Sequence, residues 1–294
     1  MKKCVIALLA AMVLTACEKE IVSNDQNGVT TSGESIVGKK FTFTVKGDFT
    51  SEWKPVTRGY LSADGKDMTD LWVMDYVGGQ LVQQIHQSDN TDDDFGKPTM
   101  TLAYGSHHVY FIASRGTSPL LNTEDGTITW SSVRDTFWKD YEMTVVSTSN
   151  GNRAVTLDRV VTKLRLTFTD EVPATANSIS IVPHTWYYGI DYLTGQPASV
   201  RTDAATVITI PDASKGQTGI QASLFGFSTA AEWNTDVVIS SRTATDDVLG
   251  SATIASAPFK ANRVSDYSGP LFSSGGSMTL SLNGEWITPY EGIW

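Results

Sequence analysis

The chain has 294 residues, 22 of them basic and 32 acidic, for a formal net charge of −10. That balance excludes nucleic acid and anionic lipid surfaces as partners, because both would be repelled over most of the protein surface. With only two cysteines, Cys4 and Cys17, it also excludes a disulfide-rich scaffold.

Met1, Lys2 and Lys3 precede eleven apolar residues, Cys4 to Leu14, and then the small residues Thr15 and Ala16. These three parts predict a secretory signal peptide over residues 1–16. The apolar run is shorter than the roughly 20 residues a membrane-spanning helix needs, and no later run is longer, so export without a spanning helix is expected. The order Leu14-Thr15-Ala16-Cys17 looks like the lipobox of bacterial lipoproteins. There the Cys thiol takes a diacylglycerol through a thioether bond before cleavage in front of it, which makes Cys17 the lipidation site and the first mature residue. The plainer reading is a cysteine beside an ordinary cleavage site. Two or more acyl chains anchor a protein stably where one does not. Once Cys4 is removed and Cys17 alkylated, no thiol is left to pair and burial alone must hold the fold. Loss of Lys2 and Lys3 leaves 20 basic against 32 acidic residues, a net charge of −12.

Residues 17–36 are poor in large apolar side chains and rich in Ser, Thr, Asn, Asp and Glu, the composition of a flexible tether. The remaining roughly 258 residues predict two domains of about 120 to 130 each. In "FTFTVKGDF", Phe41, Phe43 and Val45 alternate with Thr42, Thr44 and Lys46, the period of a half-buried strand. "DLWVMDYVGGQLVQQIHQS" predicts a hairpin around Gly78-Gly79. Further strands are predicted in "HHVYFIASRG", "YEMTVVSTS", "VVTKLRLTFTD", "NSISIVP", "ATVITIP", "ASLFGFS", "DVVISSR", "SATIAS" and "SMTLSLNGEW". Only "WSSVRDTFWKD" has room for a short helix. The expectation is an all-β sandwich architecture in two domains, residues 37–157 and 158–294, with the boundary in the turn-rich stretch before "LDRVVTKLRLTFTD".

Several residues invite functional readings. Arg58 lies in "SEWKPVTRGYLSADGK", whose Pro55, Gly59 and Gly65 predict exposed, irregular backbone that can enter a protease. The plain alternative is a solvated loop cation. Near the C-terminus Met278, Leu280 and Leu282 share one face, followed by Trp286. This segment is either a strand donated to a neighbour or the last strand of its own domain, the commoner use of such a pattern. "HTWYYGIDY" gathers Trp186, Tyr187, Tyr188 and Tyr192, either a stacking platform for sugar rings or a sandwich corner. Asp89 and Asp92 to Asp94 lack the glycine and distal glutamate of a calcium loop and predict a solvated hairpin tip. His107 and His108 are adjacent on a strand, so they point to opposite faces and cannot share a metal ion. No GxSxG, GxGxxG or phosphate-loop pattern is present. No enzymatic activity, cofactor or metal is expected.

The order of these segments resembles the fimbrillin-like lipoproteins of Bacteroidales, which include fimbrial shaft subunits and fimbrillin-associated anchor subunits. The resemblance rests on the Cys17 lipobox and tether, the early strand followed by "VTRGYLSADGKDMTDLWVMDY", the "GSHHVYFIASRG" strand and "LDRVVTKLRLTF". It implies two tandem transthyretin-like β-sandwiches on a lipoprotein of the outer membrane surface, with other fimbrial subunits as partners. In shaft subunits of that family an Arg-specific protease cuts after the first strand and opens a groove for a neighbour's strand. Carried over here, the displaceable strand holds Phe41, Phe43 and Val45, the cut falls between Arg58 and Gly59, and the donor segment holds Met278, Leu280, Leu282 and Trp286. Anchor subunits keep both strand and lipid. The alternative is a stand-alone surface lipoprotein that binds a glycan or host ligand.

Overall fold

The computed structural model describes residues 37–47, 68–88, 92–273 and 278, together with the backbone of short strands at 30–31, 34–35, 59–60 and 279–283. The chain divides into two units, Met1–Ile36 and Val37–Trp294. In the first, β1 (Thr30–Thr31) pairs antiparallel with β2 (Glu34–Ser35).

The second unit opens with β3 (Gly38–Gly47), β4 (Gly59–Tyr60), β5 (Asp70–Val77), β6 (Gln80–Ser88), β7 (Thr99–Ala103) and β8 (Gly105–Ser114). It continues through β9 (Thr117–Asn122), β10 (Thr127–Ser132), β11 (Thr136–Val145) and β12 (Asn152–Arg159). Then come β13 (Val161–Phe168), β14 (Ser178–Pro183), β15 (Thr185–Asp191), β16 (Gln196–Thr202) and β17 (Thr206–Thr209). The last are β18 (Ile220–Phe227), β19 (Trp233–Arg242), β20 (Val248–Phe259), β21 (Val264–Gly269) and β22 (Thr279–Asn283). Among the described residues the one helical turn is Asp212–Ser214, and no helix is long and apolar enough to cross a membrane. The protein is all-β, as the alternating pattern predicts.

One sheet runs β4-β3-β12-β11-β8-β5-β6, with β7 also paired to β3. It encloses a core in which Phe41, Phe43 and Val45 meet Phe111, Phe137 and Val155. Two four-stranded sheets, β18-β13-β21-β22 and β17-β14-β19-β20, enclose a second core around Leu166, Phe168, Ile181 and Ile239. Sheet membership therefore changes at Val160, between β12 and β13. The Gly78-Gly79 hairpin forms as expected: both glycines have positive φ, 56° and 78°, the two-residue turn whose twist matches paired strands.

A fourth sheet, β16-β15-β10-β9, takes two strands from each half of the chain. The backbones of β10 and β15 meet at Thr127↔Asp191, Ile128↔Ile190 and Thr129↔Gly189. Its inner face contributes to a third core, where Trp72 and Tyr110 meet Trp130, Tyr192 and Phe227. Consequently β5 and β8 are buried on both faces, and an apolar core joins the halves. Interfaces of that kind suppress relative motion. The helix admitted in "WSSVRDTFWKD" does not form. That stretch closes β10, bends at Val133 to Asp135 and opens β11, because pairing with β8 over ten positions outweighs a weak local preference.

Candidate functional site

The first strand of the body is an interior strand. On one side β3 pairs parallel with β12 at six positions, Thr42↔Asn152 to Gly47↔Leu157. On the other it pairs antiparallel with β7 at five positions, Gly38↔Ala103 to Thr42↔Thr99. Beyond β7, the Phe43 N–H donates to the Pro98 carbonyl at 3.0 Å and the Val45 N–H to the Gly96 carbonyl at 2.9 Å. Alternation puts Phe41, Phe43 and Val45 on the core side, where they are 0%, 0% and 2% exposed. The Phe43 ring meets Phe111 edge-on at 5.2 Å and Tyr141 at 6.2 Å. Arg153 of β12 lies over the Phe41 ring at 5.2 Å. Take this strand away and a slot remains, apolar at its floor and bordered by unpaired N–H and C=O groups of β12 and β7. Each such group left dry costs about 1 to 3 kcal/mol.

β4 pairs antiparallel with β3 at Lys46↔Tyr60 and Gly47↔Gly59, so Gly59 is seated against the strand that precedes it. Arg58, Cys17 and Trp286 lie outside the described residues.

At the other end of the chain β22 is an edge strand of the β18-β13-β21-β22 sheet, paired antiparallel with β21 from Ser268↔Thr279 to Val264↔Asn283. The register puts Leu280 opposite Tyr267 and Leu282 opposite Ser265. Met278 is half-buried against the second core. The segment is thus seated as the last strand of its own sheet.

The approach to that strand is clasped by Asp170, which the sequence did not single out. Its carboxylate accepts from the N–H groups of Leu271, Phe272 and Ser273 at 3.0, 2.7 and 2.7 Å and from the Ser273 hydroxyl at 2.9 Å. A Cβ at Gly250 would strike the Leu271 carbonyl, so the loop is fixed from both sides. Burial alone would raise the Asp170 carboxyl, but the donors from Leu271, Ser273 and Phe272 hold it below the usual carboxylate range. A depressed folded-state pKa gives stability that is present above the unfolded value of about 3.9 and lost as pH falls through the lower folded value. Asp170→Asn should therefore flatten the loss of stability below about pH 4 and, by hydrogen exchange, lower protection of Thr279–Asn283 before the rest of the sheet. Unchanged protection there would contradict a clasp.

The other candidates resolve as structure. Trp186 and Tyr192 are buried, 6% and 0% exposed, and Tyr187 and Tyr188 are half-buried. The Trp186 Nε1–H donates to the Phe225 carbonyl at 2.9 Å, and the Tyr192 and Tyr76 hydroxyls meet at 2.9 Å. Trp186, Tyr187 and Tyr188 lie on β15 and Tyr192 directly follows it; Trp186 packs into the second core and Tyr192 into the third, so neither ring faces a cleft for a sugar. Of the acidic run, Asp92 accepts from the Ser88 N–H at 2.6 Å and Asp94 from the Gln87 side-chain amide at 3.1 Å. These bonds shape a turn in the connection from β6 to β7, which pair with β5 and β3 and not with each other, so the run is not the hairpin tip expected from the sequence. Asp89 lies outside the described residues.

His107 and His108 do face opposite ways. His107 is 2% exposed, with Nε2 at 2.9 Å from the Ala103 carbonyl and Nδ1 at 2.8 Å from Asp75. Facing a carbonyl, Nε2 must carry a proton and donate it. Burial raises the Asp75 carboxyl, opposed by the hydrogen bond and charge of His107. With both ring nitrogens engaged inside the fold, this pair ties β5 to β8 and presents nothing to a substrate.

The body is thus a layered all-β fold whose first strand, β3, is buried and bordered on both sides. Comparison with known protein families gave no match, and neither did comparison with curated proteins. Solved structures do share the fold. A candidate cell adhesion protein from Bacteroides ovatus ATCC 8483 superposes with a TM-score of 0.53 at 13% identity, over 85% of this chain and 99% of that one. A candidate adhesin from Bacteroides ovatus gives 0.51 at 11% identity over 84% and 94%, and one from Bacteroides thetaiotaomicron VPI-5482 gives 0.50 at 9% over 84% and 99%. The chain has the fold of these Bacteroidales proteins along nearly their whole length.

Proposed function

We propose that this chain is a structural subunit or membrane anchor of a cell-surface fimbria, assembled by exchange of β-strands between subunits. The observation that carries this reading is the seating of β3, an interior strand whose Phe41, Phe43 and Val45 complete the first core. A cut between Arg58 and Gly59 leaves that strand without a covalent link to the remainder of the body, held only by pairing and burial. Once it leaves, a strand from another copy satisfies the slot's backbone groups and its pockets together. The edge position of β22 means that only one border has to be broken for it to leave its own sheet.

In this reading residues 1–16 are removed, Cys17 carries the lipid that holds the protein on the outer membrane until the cut after Arg58, or throughout in an anchor that keeps its first strand, and residues 17–36 space the body from the membrane. The body works as two sandwiches, residues 37–157 and 158–294, tied by the bridging sheet. The fold shared with Bacteroidales candidate adhesins and the order of sequence motifs both support a surface role in adhesion. The rival, a stand-alone glycan-binding lipoprotein, loses its main candidate surface with Trp186 and Tyr192 buried.

Treating the full mature chain with an Arg-specific protease tests the mechanism. Mass spectrometry should find a new N-terminus at Gly59 together with polymers on a native gel, and Arg58→Ala should keep the N-terminus at Cys17 and remain monomeric. Polymers of equal length from Arg58→Ala would remove the cleavage step.

A further inference from the structure

Strands β8 and β11 pair over ten consecutive positions without a shift, Thr136↔Ser114 to Val145↔Gly105. Glu142 stands directly opposite His108, and Asp140 opposite Tyr110, so residues 108, 140 and 142 share one face of the sheet. One donor atom from each lies within 4.8 Å of the other two. His108 Nδ1 is 3.1 Å from Asp140 Oδ2. Sequence spacing hides this set, because His108 lies 32 residues before the first of the two carboxylates and only the strand register brings it to them.

We propose that His108, Asp140 and Glu142 bind a divalent transition-metal ion, of which zinc is the representative. Bonds of about 2.0 to 2.2 Å hold donor atoms roughly 3.3 to 4 Å apart around such an ion. Small rotations of side chains that reach solvent close the set from the distances present. One imidazole with two carboxylates suits zinc and its neighbours, whereas magnesium and calcium take oxygen donors alone. Three protein ligands leave positions for water. An ion pair with His108 needs one carboxylate, and the register brings two.

Tyr110 lies buried beside the cluster, its ring 6.1 Å from that of His108 and nearly parallel to it, and so backs the imidazole. The donors sit on interior strands, which holds them in place before an ion arrives. A bound ion would cross-link β8 and β11, the strands that bring Phe111 and Phe137 to the first core.

Titration calorimetry and thermal unfolding of the full mature chain with zinc chloride test the site. The expected result is one equivalent bound, a raised midpoint, and little response to magnesium or calcium chloride. His108→Ala and Glu142→Gln should each weaken binding at least tenfold, with the metal-free midpoint unchanged for these exposed positions. His86→Ala and His184→Ala, which alter the other exposed His–Asp pairs, should bind as the parent does. Absence of binding, an equal response to calcium, or binding that survives His108→Ala would each overturn the proposal. None of these outcomes depends on assembly of the protein into polymers.

Discussion

Replacing Asp135 with alanine should destabilise the protein by about 3 to 5 kcal/mol, the cost of leaving a buried charge without its counter-ion. Asp135 is 2% exposed and Arg159 4%. Their contact is two-pronged: Arg159 Nε donates to Asp135 Oδ1 at 2.7 Å and Nη2 to Oδ2 at 2.9 Å. Arg159 Nη1 also donates to Asn262 Oδ1 at 2.8 Å, and the guanidinium lies over the Phe137 ring at 4.8 Å. The side chain at the end of β12 therefore ties the first sandwich to the turn that opens β21. The alanine variant removes the carboxylate while the cation stays buried. Denaturant unfolding measures the loss, and the double variant Asp135→Leu with Arg159→Met should recover most of it, since an apolar pair of similar volume needs no counter-ion. A loss below about 1 kcal/mol for the single variant would show that water reaches the guanidinium.

Phe43→Ala should have a comparable effect, about 3 to 5 kcal/mol, by opening a cavity at the centre of the first core. Phe43 is fully buried and touches Phe41, Phe111 and Tyr141. The functional consequence follows from where the cavity lies. If β3 must leave its slot for assembly, the alanine variant releases it sooner, and exchange with an added strand peptide should be faster than in the parent. An equally destabilised variant outside β3, such as Phe168→Ala in the second core, should not speed exchange. Equal exchange rates in both would assign the effect to global unfolding instead of the strand.

The sequence made the sandwiches legible and hid what joins them. Strands β3 and β13 announce themselves by alternation, β8 by a continuous apolar run that is buried on both faces, and the Gly78-Gly79 turn by its need for positive φ. The bridging sheet left no such mark. In β9 Pro119 interrupts the run, Ser118 has φ 50° and Leu120 is 70% exposed. In β16 Pro197 and a positive φ at Ser199 do the same. Those strands exist because distant partners pair with them, and the aromatic cluster of Trp186 to Tyr192 could be understood only once β15 had been placed beside β10. The Asp135–Arg159 pair and the Asp170 clasp were hidden for the same reason. Their partners lie 24 and about a hundred residues away, and single charged residues in turn-rich stretches look like solvated ones.

The resemblance to fimbrillin-like lipoproteins had named the strand, the cut and the donor. β3 shares with the other interior strands the property that its absence leaves an apolar floor and two unpaired borders.

Native electrophoresis of material sheared from the surface of cells that express the chain tests strand exchange most directly. The account predicts a ladder of polymers containing this chain, stable in mild detergent and lost when Arg58 is replaced by alanine. A single band of monomer, with β3 retained and no ladder under any processing, would contradict it.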